Sequence, residues 1–531
     1  MQGLILRCAL VLSLAACAEQ GLPEPDYQPS DWLARTLPEI VQGLDSGEVT
    51  SEALVRAYLA RIERVDRSGP TLQSVLAINP DAVDEARALD VLRSKGQILG
   101  ALHGVPVLLK DNIESKENIP TTAGSYALSE NISLKDAPLV AGLRAAGAII
   151  IGKTNLSEWA NFRSEDSMSG WSALGGQVKN PHMLDRNPCG SSAGSGAAAA
   201  ASLAAATVGT ETNGSIICPS SINGVVGFKP TVGLVSQDGI VPISPTQDTA
   251  GPMTKTVTGA AMLLDAMDNT EVDYATALST DALLGKRVGV VRYAVGGDRS
   301  ILPLFEAALL VLQSQGAELV EIEQAHPLPD GFRQMTFDVL RYEFKASINA
   351  YLAGTPSGVT SRSLAALIEF NQRHPRELAL FDQSIFDAAQ EMGGLTDPEF
   401  VRAREATFRA TRQEGVDRYL AEYGVEVLVA PSGVPSPRID PVNGDVWPPF
   451  VGIGWMAAVA GYPHATVPMG VVTDLPVGLS FIGAPGADQQ VLAAAFAYEQ
   501  ASLLRAEPRY LSSAAALDYI GSSLAAPVSR P

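Results

Sequence analysis

The sequence predicts an α/β protein, and three observations predict it. Short unbroken apolar runs, Val105-Pro106-Val107-Leu108-Leu109 and Ala148-Ile149-Ile150-Ile151, have the pattern of strands buried on both faces. Between them, residues 139–145 read as a helix. An alanine-rich run over residues 197–206 reads as a second helix, leading through Thr207-Val208-Gly209-Thr210 into a turn. The chain has 531 residues, 46% hydrophobic and 18% charged, enough for two or three ordinary domains or one large α/β domain with insertions.

Taken in order, the elements begin with residues 4–16, almost wholly apolar around a single Arg7 and too short to span a bilayer. Residues 1–17 are therefore expected to be an export signal. They end Leu14-Ala15-Ala16-Cys17, which resembles a bacterial lipobox, with Cys17 lipidated as the first mature residue. Cleavage after Ala16 or Ala18 by an ordinary signal peptidase is the alternative. The expected location is thus periplasmic or cell-envelope, otherwise secreted. Residues 18–29, with Pro23, Pro25 and Pro29, leave little to bury and are expected to be a linker. The folded domain is expected over 30–510. Leu33, Leu37, Ile40 and Leu44, then Leu54, Tyr58 and Ile62, have helical spacing, with Thr50 and Ser51 placed as caps. Later strands are expected at 288–291, 318–322, 425–429 and 479–482. Residues 298–424 are more charged and mostly helical, and are expected to be an insertion or cap over a core that resumes over 425–510. The Ala-, Ser- and Pro-rich residues 511–531 are expected to be a loose tail.

The formal net charge of −20 sets a surface that repels phosphate backbones and anionic headgroups. Nucleic acid is excluded as a partner class, and a membrane enters only through a lipid on Cys17. Of the four cysteines, Cys8 and Cys17 belong to the leader, so Cys189 and Cys218 make no disulfide scaffold. They are read as small buried residues filling tight space, an oxidised pair being the alternative in an exported protein.

The chemistry concentrates in two glycine-rich turns and one lysine. Ser191 lies in Gly190-Ser191-Ser192-Ala193-Gly194-Ser195-Gly196, Ser215 in Thr212-Asn213-Gly214-Ser215, and Lys110 ends the run 105–109. Attack on an amide needs a nucleophile, a base and donors for an oxyanion. Gly214 permits close backbone approach, and successive N–H groups in such a turn converge on an anion. On these residues alone the turn is equally a plain Asn-Gly hairpin, and Ser191 equally the N-cap of the alanine-rich helix. Lys110 is either a surface cation on a snorkelling stem or, held inside, a base whose pKa burial lowers. Gly190 to Gly194 also fits G-x-S-x-G, but the preceding Asp185-Arg186-Asn187-Pro188-Cys189 cannot make the strand that a nucleophile elbow requires. None of the five histidines sits in a pattern that marks a base, and there is no S-x-x-K. No H-E-x-x-H, Cys/His cluster or G-x-x-x-x-G-K-[ST] occurs, so neither metal nor nucleotide is expected.

In motif order the chain resembles the amidase signature family. The resemblance is carried by His103-Gly104-Val105-Pro106 to Lys110-Asp111-Asn112, Gly152-Lys153-Thr154-Asn155, Gly175-Gly176-Gln177, Gly190-Ser191-Ser192, Gly209 to Ile216, Gly224 to Thr231 and Gln247 to Met253. It is dense over 100–260 and returns at Val429-Ala430-Pro431 and at residues 476–483. It implies a large mixed central sheet flanked by helices on both faces, no cofactor and no metal. It implies Ser215 as nucleophile, Ser191 as proton relay to Lys110, a Gly190–Ser191 peptide often cis in relatives, and an oxyanion hole of the Thr212, Asn213, Gly214 and Ser215 amides. Many relatives carry Gly-Gly where this chain has Asn213-Gly214, and a polar residue there resembles the peptide amidase subgroup. Many carry glycine at Cys189. The implied activity is hydrolysis of a carboxamide to acid and ammonia, on peptide C-terminal amides or small carboxamides. Lipid- or aryl-amide hydrolysis, esterase activity and a catalytically silent binding protein are the alternatives. Export and the acidic surface count against the subunit that amidates Glu-tRNA. Trp171, Trp455, Tyr462 and residues of 298–424 are candidates to wall a substrate pocket, and equally candidates for core.

Overall fold

The apolar runs pair into one sheet in the computed structural model, which describes residues 29–524 except 269, 271, 297 and 450. The expected leader with Cys17, residues 18–28 of the expected linker, and residues 525–531 lie outside the described residues.

The strands are β1 (Val75–Ile78), β2 (Pro106–Lys110), β3 (Ile149–Thr154), β4 (Trp171–Ser172), β5 (Gly176–Gln177), β6 (Ala206–Glu211), β7 (Val226–Lys229), β8 (Thr249–Thr254), β9 (Arg287–Val291), β10 (Glu318–Ile322), β11 (Val427–Pro431), β12 (His464–Val472) and β13 (Leu475–Ile482). β4 and β5 form a small ribbon, and the other strands make one sheet of eleven in the order β1-β3-β2-β6-β8-β7-β12-β13-β11-β9-β10. The mixture follows from the connections. Helix Pro138–Ala145 crosses between β2 and β3, and helix Leu302–Ser314 between β9 and β10, and both pairs are parallel. Thr473 and Asp474, with φ of 54° and 62°, make a two-residue turn that joins β12 to β13 antiparallel.

Strand alternation gives the sheet two unlike faces. Ala465, Val467 and Met469 of β12 and Val477, Leu479 and Phe481 of β13 join the main apolar core. That face packs under helices Val257–Met267, Leu302–Ser314 and Asp488–Ser502. The intervening residues His464, Thr466, Gly478 and Ser480 turn the other way, toward the short helices Ile217–Asn223 and Gly454–Ala460. There the hydroxyls satisfy one another, Ser432 Oγ lying 2.6 Å from Thr466 Oγ1 and 2.9 Å from Ser480 Oγ.

Three expectations are corrected. The alanine-rich helix spans Ala193–Ala200, not 197–206, because Ser202 adopts φ of 57° and Ala206 begins β6, whose pairing with β2 and β8 overrides the helical preference of alanine. Residues 302–322 belong to the sheet, since Phe305, Ala308, Leu309 and Leu312 bury into the main core. The helices laid over the core start at Phe332–Gly354. With Leu364–Arg373 and Ser384–Glu391 they build a separate apolar cluster on Trp159, Phe162 and Val241. Within the expected tail Leu517 is not loose but buried against Met183 and Leu475, while helix Asp518–Leu524 buries no residue.

The sheet edges are also specified by sequence. On β10, Glu318 pairs with Arg287 and Glu321 with Arg292. At β1 the Asp66 carboxylate accepts from the amides of Ser74 (2.7 Å) and Val75 (3.0 Å).

Candidate active site

Parallel pairing brings the C-terminal ends of β2 and β6 together, so Lys110 meets Thr210. The Lys110 side chain is fully buried, which answers the open question of its exposure. Its Nζ lies 2.7 Å from Ser191 Oγ, 2.8 Å from Thr210 Oγ1 and 3.2 Å from Thr210 O. Asn112 Nδ2 donates to the same Thr210 Oγ1 at 2.9 Å, fixing the threonine rotamer from its other side. Burial pulls the Lys110 pKa down to about 7, against the nearby carboxylates of Asp248 and Glu211. An amine near neutrality touching a hydroxyl is a proton acceptor at physiological pH.

Ser191 is held by the loop before helix Ala193–Ala200. The Gly190–Ser191 peptide is cis, as the resemblance implied. A Cβ on Gly190 would fall 2.2 Å from Ser157 Oγ, so no other residue fits there without movement. Ser157 N donates to Ser191 O at 3.0 Å, fastening the loop to the segment after β3. Behind it, Lys153 at the end of β3 is buried and donates to Thr121 Oγ1 at 2.8 Å and to Ile113 O. Burial lowers Lys153 to about 8 and raises its neighbour Asp111 to about 6.

Ser215 stands in the turn between β6 and helix Ile217–Asn223. Glu211 Oε2 accepts from Ile216 N (2.8 Å) and Ile217 N (3.0 Å) and so caps that helix. Ser192 N donates to Ser215 O at 3.2 Å, drawing the turn against the Ser191 loop. Gly214 has φ of 82°, and among the described residues the amides of 212–215 find no acceptor. Thr212 Oγ1 is anchored 2.6 Å from Asp248 Oδ1, and burial raises Asp248 to about 6. Backbone amides without a protein acceptor are available to an anion.

Beside this turn opens a cleft of about 340 Å³. Its wall contains a disulfide, Cys189–Cys218, with Cα atoms 6.0 Å apart. This corrects the reading of the two as reduced fillers: once the two turns are packed together the sulfurs are within bonding reach, a proximity invisible across 29 residues of sequence. Trp455 lines the cleft. Trp171 does not; it packs on Phe381 beneath Arg163 and Arg376. Tyr462 is core, its hydroxyl 3.1 Å from Asp417. Among the described residues the lining comes from the two serine turns with the end of β6, helix Ile217–Asn223, the segment around Asn161 and Ser169, and residues 432–464; none comes from 298–424.

Several contributors escaped the sequence. Asn112 and Thr210 are adjacent to named motifs and were recoverable from them. Ser432, Asp445, Trp447 and His464 carried no signal. His464 is buried with Nε2 2.7 Å from Ser480 Oγ, and burial, helped by Lys229, depresses its pKa to about 3, so the ring is neutral. Among the described residues no group of three or more His, Cys, Asp or Glu is placed to hold a metal.

Comparison with known proteins places the chain by family and fold. Residues 53–492 match the Amidase family profile. A probable amidase of Arabidopsis thaliana is 34% identical over 96% of this chain and 97% of its own length. The native peptide amidase of Stenotrophomonas maltophilia superposes with a TM-score of 0.85, at 43% identity, covering 91% of this chain and 100% of that one. An amidase family protein from Bacillus anthracis gives 0.81 at 34% identity, covering 91% and 94%.

Proposed function

The chain belongs to the amidase signature family and is an amide-hydrolysing enzyme, and from that premise we propose that it cleaves peptide C-terminal amides or small carboxamides through a Ser-Ser-Lys acyl-enzyme. The observation that carries the mechanism is the 2.7 Å contact between the buried Lys110 Nζ and Ser191 Oγ. In this reading Ser215 Oγ attacks the carbonyl carbon while its proton passes through Ser191 to neutral Lys110. The amides of Thr212, Asn213, Gly214 and Ser215 receive the oxyanion. Collapse breaks the C–N bond, and the proton returns through Ser191 to the departing ammonia. Water then attacks the acyl-Ser215 ester by the same relay and releases the acid.

The substrate class is supported by Asn213-Gly214 in the nucleophile turn and by the likeness to a peptide amidase over nearly the whole chain. Export, with a lipid on Cys17, is part of the proposal. The Cys189–Cys218 disulfide supports an oxidising compartment.

The test is ammonia release by the chain lacking residues 1–17, on peptide amides, amino-acid amides, fatty amides and aryl amides, beside Ser215→Ala. Release from peptide or amino-acid amides that vanishes in the variant supports the proposal. Turnover confined to fatty or aryl amides would overturn the substrate class and leave the mechanism. Labelling of the cell envelope by a palmitate analogue, lost in Cys17→Ala, tests the anchor.

A further inference from the structure

The charges lining the cleft are one-sided. Glu211 and Asp445 supply carboxylates, and no lysine or arginine lines it among the described residues. The ring of His464, the histidine of the lining, is held neutral by its burial.

Asp445 is oriented without being neutralised. Ser169 N donates to both its oxygens at 3.1 Å and Asn187 Nδ2 to Oδ1 at 2.8 Å, all uncharged donors. A carboxylate offers about four acceptor positions, so some remain directed elsewhere. Two residues on, Trp447 presents an indole to the same cleft, and Trp455 another. Carboxylate and indole together are the usual receptor for an ammonium or guanidinium.

Glu211 is an independent second observation. It is 1% exposed, and while Oε2 caps the helix, Oε1 is buried with no partner in a residue that lines the cleft. Lys110 and Lys229 interact with it electrostatically, burial lowering the first to about 7 and the second to about 8, and both sit outside the lining.

We propose that the cleft selects carboxamides whose acyl part carries an ammonium or guanidinium, received by Asp445 against Trp447, and rejects those carrying a carboxylate. This rests on the amide-hydrolase reading and adds a charge rule to it. The cation has two sources, a basic side chain or a free α-amino group, and the substrate panel separates them.

The experiment is kcat/KM for ammonia release from Nα-acetyl-lysinamide, leucinamide with its free α-ammonium, Nα-acetyl-leucinamide, and the α-amide of Nα-acetyl-glutamate. At least one cationic substrate should exceed the neutral one by about tenfold, and the anionic one should fall about tenfold below it. Whichever cationic substrate leads names the source. In Asp445→Asn the cationic-to-neutral ratio should fall toward one. Equal rates on cationic, neutral and anionic amides, or a ratio untouched by Asp445→Asn, overturns the charge rule while amide hydrolysis stands. No turnover on any substrate overturns both. Should Asp445→Asn not fold, the wild-type panel decides alone.

Discussion

The two faces of the central sheet are made from the same strands and obey opposite rules. One carries Val467, Val477, Leu479 and Phe481 into a continuous apolar core. The other carries Thr466, Ser480 and His464, and buries hydroxyls in pairs. The polar face tolerates burial because the hydroxyls of Thr466 and Ser480 and the Nε2 of His464 meet partners, the condition under which a buried polar group costs little. Lys110 stands where this polar layer reaches the ends of β2 and β6. The difference teaches that stability and chemistry are separated by a two-residue period: stepping one residue along a strand moves from packing to reactivity.

The first way to break that separation is at its reactive end. Ser215→Ala and Lys110→Met should each lower kcat by roughly ten-thousand-fold or more, with urea midpoints near wild type. Near-normal turnover by Lys110→Met at pH 7 would sink the relay. On the other face, Leu479→Ala should cost about 2–5 kcal/mol of unfolding free energy. The folded fraction should keep its kcat within about threefold, as expected for a change remote from the reacting atoms; a large loss of kcat would show that the faces are coupled. A smaller effect is expected at Thr210→Val, which removes the hydroxyl shared by Lys110 and Asn112. That hydroxyl accepts from the amine and so favours its charged form; without it Lys110 should titrate lower, moving the acid limb of kcat/KM to lower pH, with a rate loss of about tenfold. The mildest test leaves the sequence alone. With Lys110 near 7 and active when neutral, wild-type kcat/KM should rise with pH up to about 7 and level off above it. A profile flat from pH 5 to 9 would remove Lys110 as the base.

The sequence disclosed what local patterning encodes. β2 and β3 are legible as unbroken apolar runs, and Lys110, Ser191 and Ser215 because glycine turns and a strand end mark them within a few residues. The start of β6 is disguised, since alanine before Thr207 favours a helix until two neighbouring strands claim its amides. The helical cap reads too wide because helix Leu302–Ser314 stands next to the helices of 332–424 in the chain; what separates it is the burial of Phe305, Ala308, Leu309 and Leu312 in the main core. The cleft is scarcely legible at all. Asp445 finds Ser169 across 276 residues and Cys189 finds Cys218 across 29, and no window of sequence contains either meeting.

The charged rims of the sheet have a consequence for life at high local density. A protein held side by side with its copies presents strand edges to strand edges, the geometry in which sheets zip together. Here an arriving strand would meet charged side chains, Glu318 and Glu321, at one rim, each already paired to an arginine. At the other it would have to displace Asp66 from the amides of Ser74 and Val75. The sheet is therefore finished at eleven strands, and crowding the molecules together raises their number per area without growing the sheet.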